Sequence, residues 1–162
     1  MSKREVVFLS GVRSAIADFG GSLKGIAPTD LAGQVVAEAV KRSGANSEDF
    51  GHCVIGNVVH TDRRDMYMSR AAALNGGLPE STPALTVNRL CGSGLQAIIS
   101  AAQLVLLDDC DLAVAGGAES MTRAPYWSPT ARFGSKMGDT QFVDPMVGAL
   151  TCPITNTHMG IT

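Results

Sequence analysis

The chain has 162 residues, enough for one domain with a sizeable core, and its apolar content of 45% is ordinary for a folded protein. Thirteen basic and fifteen acidic residues leave a net charge of only −2, and the basic residues are scattered, which argues against a nucleic-acid partner. No uncharged apolar run is long enough for a transmembrane helix and no signal peptide is evident, so we expect a cytoplasmic protein without a membrane partner.

The chain opens with a predicted strand and a predicted helix. Residues 6–10 are a continuous apolar run ended by Gly11, a pattern typical of a strand buried on both faces. A one-sided amphipathic helix is predicted next, with Thr29 as its N-cap and Gly44 just beyond its last turn. This helix is expected to pack through one face only.

Further strands and helices alternate along the next part of the chain. Residues 54–59, 83–87 and 112–115 are predicted strands, while residues 66–74 and 91–107 are predicted helices. Apolar strands that alternate with helices at this spacing predict an α/β fold, with a βαβαβαβ parallel, doubly wound sheet.

The character of the sequence changes near Ser120. Residues 120–162 contain four prolines and no sustained periodicity, which is typical of a lid or of a segment that needs partners. Plain disorder is the alternative, although the aromatic residues and methionines here make full disorder less favoured. We therefore predict one domain over residues 1–119 and the start of a second over residues 120–162.

Cys91 lies at the predicted turn between a strand and a helix. The first N–H groups of a helix lack internal partners, and the helix dipole adds positive charge there, so this position favours the nucleophilic thiolate. Gly92 and Gly94 remove side chains nearby, and the Cys91 N–H could donate to an oxyanion. The alternative is that Cys91 is simply a small buried apolar residue.

The helix after Cys91 is almost entirely apolar. Its polar residues fall on one narrow stripe, at Ser93, Gln96, Ser100 and Gln103. We therefore expect protein to surround this helix on nearly every side.

The remaining chemical groups give weaker signals. Cys53, Cys110 and Cys152 have no Cys-x-x-Cys spacing, so a zinc site is not supported and all three are expected to be inert thiols in a reducing compartment. Glu119 is expected to make a contact at the end of a strand rather than to act as an acid. His158 beside a nucleophilic cysteine suggests a base, but spacing alone cannot establish their contact.

Several ordered motifs resemble the thiolase family, from about Glu5 to the last residue. The stretch at residues 87–94, with sequence Val-Asn-Arg-Leu-Cys-Gly-Ser-Gly, resembles the thiolase acylation motif. Residues 115–121, with sequence Ala-Gly-Gly-Ala-Glu-Ser-Met, resemble a second signature. Shorter matches occur at residues 11–16, 19–23, 56–58, 136–139 and 158–160. Within the family, the chain resembles bacterial β-ketothiolases of the acetyl-CoA acyltransferase kind.

The resemblance implies acyl transfer between coenzyme A thioesters through a Cys91 acyl-enzyme. It implies that His158 and Met159 line the pocket for the pantetheine arm and acyl group, and that residues 120–162 begin the loop domain used in tetramers. Acyl-CoA and acetyl-CoA are then the expected partners, with no cofactor and no metal. A homodimer or tetramer is expected for the whole family, with residues 83–87 pairing across the dimer.

The resemblance also marks absent segments. The family's second half carries an Asn-Glu-Ala-Phe segment, a histidine base in Gly-His-Pro and a second cysteine in Cys-x-Gly, and none occurs here. We expect a truncated N-terminal portion, inactive alone, with a companion C-terminal half as one possibility. A different thiolase-fold condensing enzyme, such as a ketoacyl synthase, and a non-catalytic interaction module remain as alternatives.

Overall fold

The computed structural model describes residues 4–162 and contains a parallel sheet covered by helices on both faces. Within these residues the strands are β1 (His52–Gly56), β2 (Ala84–Val87) and β3 (Ala113–Gly117). Their order is β2-β1-β3, and both neighbouring pairs are parallel. The predicted parallel α/β fold is confirmed. Residues 1–3 of the predicted first domain lie outside the described part.

The helices are α1 (Pro28–Ser43), α2 (Met68–Asn75), α3 (Ser93–Leu106) and α4 (Pro145–Ala149). Short 3₁₀ turns occupy Ser47–Asp49, Asp65–Tyr67, Met121–Arg123 and Ala131–Phe133. Among the helices of residues 4–162, none is both long and apolar enough to cross a bilayer.

Two clusters of apolar side chains hold the sheet between its helices. Ile55 and Val114 face α1 and α2 on one side, whereas Val54 faces Ala97 and Ala101 of α3 on the other. Successive residues of a strand point to opposite faces, so β1 contributes to both clusters. Helices therefore lie on both faces, as the doubly wound prediction requires.

A serine hydroxyl from α2 enters the hydrogen-bond ladder between β1 and β2. The Ile55 N–H donates to Ser69 Oγ at 2.7 Å, and that hydroxyl donates to the Leu85 carbonyl oxygen at 2.5 Å. The Ser69 N–H also donates to Thr86 Oγ1 at 3.0 Å. Ser69 is fully buried, so its hydroxyl joins the backbones of β1 and β2 from the interior of the protein.

The predicted first strand is wrong. Residues 6–10 form no regular secondary structure and belong to no sheet, and the Val7 and Phe8 side chains are 68% and 79% exposed. A cavity of about 660 Å³ is lined by this segment and by β3, so the segment and the outer edge of β3 do not form a ladder. Without a neighbouring strand, an apolar run lacks the hydrogen bonds that define a strand.

Helix α1 begins one residue earlier than its expected cap. Pro28 is the first helical residue and Ala27 is the N-cap, while Thr29 is fully buried and caps nothing. Proline suits the first helical position because its φ is fixed and an N–H there would have no partner. The predicted stop is confirmed, since Gly44 adopts a left-handed φ of 75° and its N–H donates to the Lys41 carbonyl oxygen at 3.4 Å.

The expectation that α3 is surrounded on nearly every side is wrong for this chain. Leu95 and Leu106 are 66% and 52% exposed, whereas Ala97 and Ala101 are buried against the sheet. In the described chain the sheet covers one side of α3, and no second layer covers the other. An apolar face therefore remains open to solvent.

Residues beyond Ser120 are irregular but hydrogen-bonded. Trp127 and Val143 exchange two backbone hydrogen bonds at 2.9 and 2.7 Å, and Asp144 Oδ1 caps α4 by accepting from the Met146 N–H at 2.8 Å. Plain disorder is thus not the arrangement found, although strands and long helices end with β3.

Candidate active site

Cys91 lies in the five-residue turn that joins β2 to α3. Strand β2 ends at Val87, as the sequence predicts, whereas α3 begins at Ser93, two residues after its predicted start at Cys91. The Cys91 side chain is exposed with a free thiol. The alternative of a small buried apolar residue is therefore wrong. Among residues 4–162, no side chain forms a hydrogen bond with the Cys91 sulfur.

The backbone of this turn is strained immediately before the cysteine. Leu90 has a left-handed φ of 50°, one of few such values at a non-glycine residue in the described chain. For a residue with a side chain this conformation costs about 1–2 kcal/mol. Neighbouring contacts must supply enough free energy to keep it.

Two polar side chains of the turn bind its own backbone. Asn88 Oδ1 accepts from the Leu90 N–H at 2.9 Å. Ser93 Oγ accepts from the Arg89 N–H at 2.9 Å and donates to the Leu90 carbonyl oxygen at 2.6 Å. Both backbone polar groups of Leu90 therefore have a side-chain partner.

Glycines allow the ends of two strands to approach the first turn of α3. A Cβ atom at Gly56 would lie 2.6 Å from the Ser93 carbonyl carbon, and one at Gly117 would lie 3.3 Å from the Gly94 Cα atom. The start of α3 is thus packed directly on the carboxyl ends of β1 and β3. This packing fixes the position from which Cys91 projects.

Glu119 makes the predicted contact at the end of a strand. Its carboxylate accepts from Asn57 Nδ2 at 3.1 Å, from the Val58 N–H at 2.9 Å and from the Val59 N–H at 3.0 Å. Burial raises the pKa of Glu119, and the hydrogen bonds from Val59 and Val58 oppose that rise without cancelling it. The carboxylate thus ties the loop after β1 to the loop after β3.

His158 and Met159 lie on one side of a small hairpin near the end of the chain. Thr151 pairs with His158 in an antiparallel bridge, and the Met159 N–H donates to the Leu150 carbonyl oxygen at 2.7 Å. The His158 side chain is exposed, and its Nδ1 accepts from the Gly160 N–H at 3.0 Å. In the described part of the chain, no hydrogen bond joins His158 to Cys91.

The other thiols differ in their environments. Burial raises the pKa of Cys53 to about 12, and burial together with Asp109 and Asp111 raises the pKa of Cys110. The environment of Cys152 acts in the opposite direction. Hydrogen bonds from the Thr155 side chain, and then from backbone N–H groups, lower its pKa.

No metal site is evident in the described residues. Within residues 4–162, no three histidine, cysteine, aspartate or glutamate side chains are grouped so that they could hold an ion. A second cavity, of about 750 Å³, is lined by residues 58–62 and by Trp127, among others. Neither cavity is lined by Cys91, His158 or Met159.

Comparisons with curated proteins give one consistent relationship. The family model described as "Thiolase, N-terminal domain" matches residues 6–162. The beta-ketothiolase BktB of Cupriavidus necator is 60% identical over 159 residues, which cover 98% of this chain and 40% of that protein. An acetyl-CoA acetyltransferase of the same organism is 40% identical with the same coverage. The chain thus spans about 40% of the length of the curated relatives it matches.

Solved structures give the same relationship for the fold. Human mitochondrial 3-ketoacyl-CoA thiolase aligns with a TM-score of 0.85 and 34% identity, over 89% of this chain and 37% of that chain. The same values hold for its complex with CoA. The Bacillus anthracis acetyl-CoA acetyltransferase aligns with a TM-score of 0.82 and 36% identity, over 89% of this chain and 36% of that chain. The chain belongs to the thiolase family, and its match lies in the N-terminal domain.

Proposed function

We propose that this chain provides the acyl-accepting cysteine of a coenzyme A thioester acyltransferase, with Cys91 as the nucleophile. The observation that carries the proposal is an exposed, free Cys91 thiol in the turn just before α3, in a chain that belongs to the thiolases. The names of the relatives, beta-ketothiolase and acetyl-CoA acetyltransferase, support the same substrate class. The solved thiolase complex with CoA supports coenzyme A as the leaving group.

In the first step the Cys91 thiolate attacks the carbonyl carbon of an acyl-CoA. The carbonyl electron pair moves to oxygen, where the Cys91 N–H at the helix start is the proposed donor. Collapse of this species breaks the carbon–sulfur bond to coenzyme A, which leaves as a thiolate and takes up the proton that Cys91 lost. The product is an S-acyl group on Cys91 and free coenzyme A.

In the second step an acetyl-CoA, deprotonated at its α-carbon, attacks the acyl group on Cys91. The new carbon–carbon bond gives a 3-oxoacyl-CoA, and Cys91 leaves as a thiolate that takes up the proton removed from the α-carbon; the reverse sequence is thiolysis. We assign His158 and Met159 to the pantetheine arm and acyl group on the basis of the resemblance to thiolases; the His158 imidazole is exposed and its Nδ1 accepts from the Gly160 N–H. Neither step uses a metal or an organic cofactor.

The isolated chain is expected to complete the first step at most. No hydrogen bond links Cys91 to a base in the described residues, and the sequence holds neither the Gly-His-Pro nor the Cys-x-Gly segment expected of the family. Negligible formation of acetoacetyl-CoA is therefore expected. Steady turnover by purified chain, free of host thiolase, would contradict this expectation.

Transfer of an acetyl group from acetyl-CoA tests the first step directly. The intact chain is incubated with acetyl-CoA, and the acetylated cysteine is identified by peptide mass spectrometry. We expect the label on Cys91, retained in Cys152→Ala and lost in Cys91→Ala. Cys152 is the matched control because hydrogen bonds lower the pKa of that thiol. Equal labelling of Cys152, or labelling that survives Cys91→Ala, would overturn the proposal.

We also propose that further polypeptide, matching the remaining length of the relatives, covers the exposed face of α3. Leu95 and Ile99 are one turn apart on that face and are 66% and 40% exposed. We propose in addition that a second domain begins near Ser120 and that the protein works in the cytoplasm with its thiols reduced.

We further propose that two copies of the chain pair through β2. Strand β2 is an edge strand with Leu85 exposed, which supports pairing with a second copy. Gel filtration with light scattering tests this, and a well-behaved monomer would contradict the dimer.

A further inference from the structure

We propose that Ser93 is a positioning residue for Cys91, because its hydroxyl holds Leu90 in the left-handed conformation that sets the direction of the next residue. This inference rests on the proposed nucleophilic role of Cys91 and extends it to a side chain that touches no substrate. Its evidence is the set of contacts made by the Ser93 hydroxyl within the turn.

The Ser93 hydroxyl forms hydrogen bonds with the backbone on both sides of the strained Leu90 Cα atom. It accepts from the Arg89 N–H, on the near side of Leu90, and donates to the Leu90 carbonyl oxygen itself. The Ser93 backbone N–H donates to the same oxygen at 3.0 Å, so Ser93 holds the peptide between Leu90 and Cys91 through two hydrogen bonds, of which the hydroxyl's is the shorter. Rotation of that peptide toward an ordinary negative φ would break the hydrogen bond to the hydroxyl.

The hydroxyl is itself held in place by packing. Ser93 is 5% exposed, and the buried Gly56 lies so close that even a Cβ atom would come within 2.7 Å of the Ser93 Cβ. Asn88 adds a second contact from the other direction, by accepting from the Leu90 N–H. Ser93 is therefore held in place by the sheet and α3, and through Leu90 it fixes the direction of the exposed Cys91.

Two explanations of a Ser93→Ala effect, loss of folding stability and loss of the positioning of Cys91, predict different results when Leu90 is replaced by glycine. Glycine adopts a positive φ at no steric cost, so Leu90→Gly removes the strain that Ser93 is proposed to hold. If Ser93 acts through Leu90, removing its hydroxyl should matter much less once residue 90 is glycine. A general loss of folding stability would not be relieved in this specific way.

The experiment compares four chains: the natural sequence, Ser93→Ala, Leu90→Gly and the double variant. Each is incubated with acetyl-CoA and, separately, with iodoacetamide, and the rates at Cys91 and Cys152 are measured by peptide mass spectrometry. The Cys91-to-Cys152 ratio cancels differences in reagent and handling. Ser100→Ala is the matched control on α3, because its hydroxyl only accepts from Gln96 Nε2, at 3.1 Å.

We expect Ser93→Ala to lower the Cys91-to-Cys152 rate ratio about tenfold with both reagents. The net free energy of one hydrogen bond corresponds to about a tenfold change in rate. In the Leu90→Gly background the same change should lower it no more than about twofold, and Ser100→Ala should leave it unchanged. Urea unfolding at the assay temperature verifies that each variant is folded.

Two failures are distinguishable. If acetyl-CoA does not label Cys91 in the natural sequence, the proposed function fails, while the iodoacetamide ratios still test Ser93. If Cys91 is labelled normally and Ser93→Ala leaves both ratios unchanged, the positioning role is overturned. An equal loss with leucine and with glycine at residue 90 also overturns it, because Ser93 would then act through general stability.

Discussion

Replacing Gly56 with alanine tests whether the packing of β1 against α3 sets the position of the candidate nucleophile. The added Cβ atom would lie 2.6–2.7 Å from three atoms of Ser93, two of which belong to its backbone. Carbon atoms in contact are normally about 3.5–4.0 Å apart, so the first turn of α3 must move by about 1 Å. A backbone atom cannot rotate away as the end of a side chain can.

Overpacking of this kind typically costs about 1–3 kcal/mol, and we expect the upper part of that range because backbone must shift. For a chain of this size, the melting temperature should fall by about 4–12 °C. Movement of the first turn of α3 should also change the rate of Cys91 alkylation, while the rate at Cys152 stays constant.

The assay is thermal unfolding followed by circular dichroism, with urea unfolding as a second measure. Gly116→Ala is the matched control, since it lies in a neighbouring strand and an added Cβ atom there would meet nothing within 4 Å. Equal stability of Gly56→Ala and Gly116→Ala would refute the reasoning. If Gly56→Ala is destabilised but Cys91 is alkylated at an unchanged rate, the claim that this packing positions Cys91 would be refuted.

Three further changes are informative. Ser69→Ala should lower the free energy of unfolding by about 1–3 kcal/mol in urea, because the buried Ile55 N–H and the Leu85 carbonyl oxygen lose the hydroxyl that joins them, whereas the exposed Ser81→Ala should not. Alkylation of Cys152 should rise at lower pH than that of Cys110, because the Cys152 pKa is lowered and the Cys110 pKa is raised; the opposite order in a pH series would contradict this. Gly44→Ala should cost about 1 kcal/mol in thermal unfolding, since φ there is 75°, and an unchanged melting temperature would argue against the left-handed cap.

Local patterns predicted most of the regular structure. The apolar stripe of α1, its stop at Gly44 and the position of Cys91 between β2 and α3 depend on neighbours within a few residues. Each is therefore legible in a short window of sequence. The contact made by Glu119 was also predicted, although its partners, Asn57 and the two N–H groups that follow, were not.

The errors share a physical cause. An apolar run shows that a segment gains by burial, but not whether a neighbour is present to bury it. Residues 6–10 have the composition of a strand, yet β3 is not paired with them, and α3 has apolar residues on a face that the described chain leaves open. Thr29 fits the residue preference of a cap, but Pro28 fixes the helix start.

The sequence predictions included neither the bridge made by the Ser69 hydroxyl nor the environment of Cys152. The Ser69 hydroxyl bridges strands whose residues are 14 and 16 positions away, so no local pattern identifies it. Cys152 is different, because the residues that lower its pKa follow within the next three positions. A cysteine before proline, with a threonine three residues later, is a turn signal that could have identified this thiol.

The groups that position Cys91 are close to it in the sequence or packed directly against its turn, whereas a base that moves protons must come from another element of the fold. The turn is held by hydrogen bonds that span two to four residues and by close packing of the start of α3 on the ends of β1 and β3. Such a nucleophile needs little beyond the three strands and α3 to keep its geometry. A base for the second step must instead come within hydrogen-bond reach from another element, and none does so in the described residues. Acylation should therefore be separable from carbon–carbon bond formation in this chain, and acetyl-labelled Cys91 should persist rather than turn over when more acetyl-CoA is added.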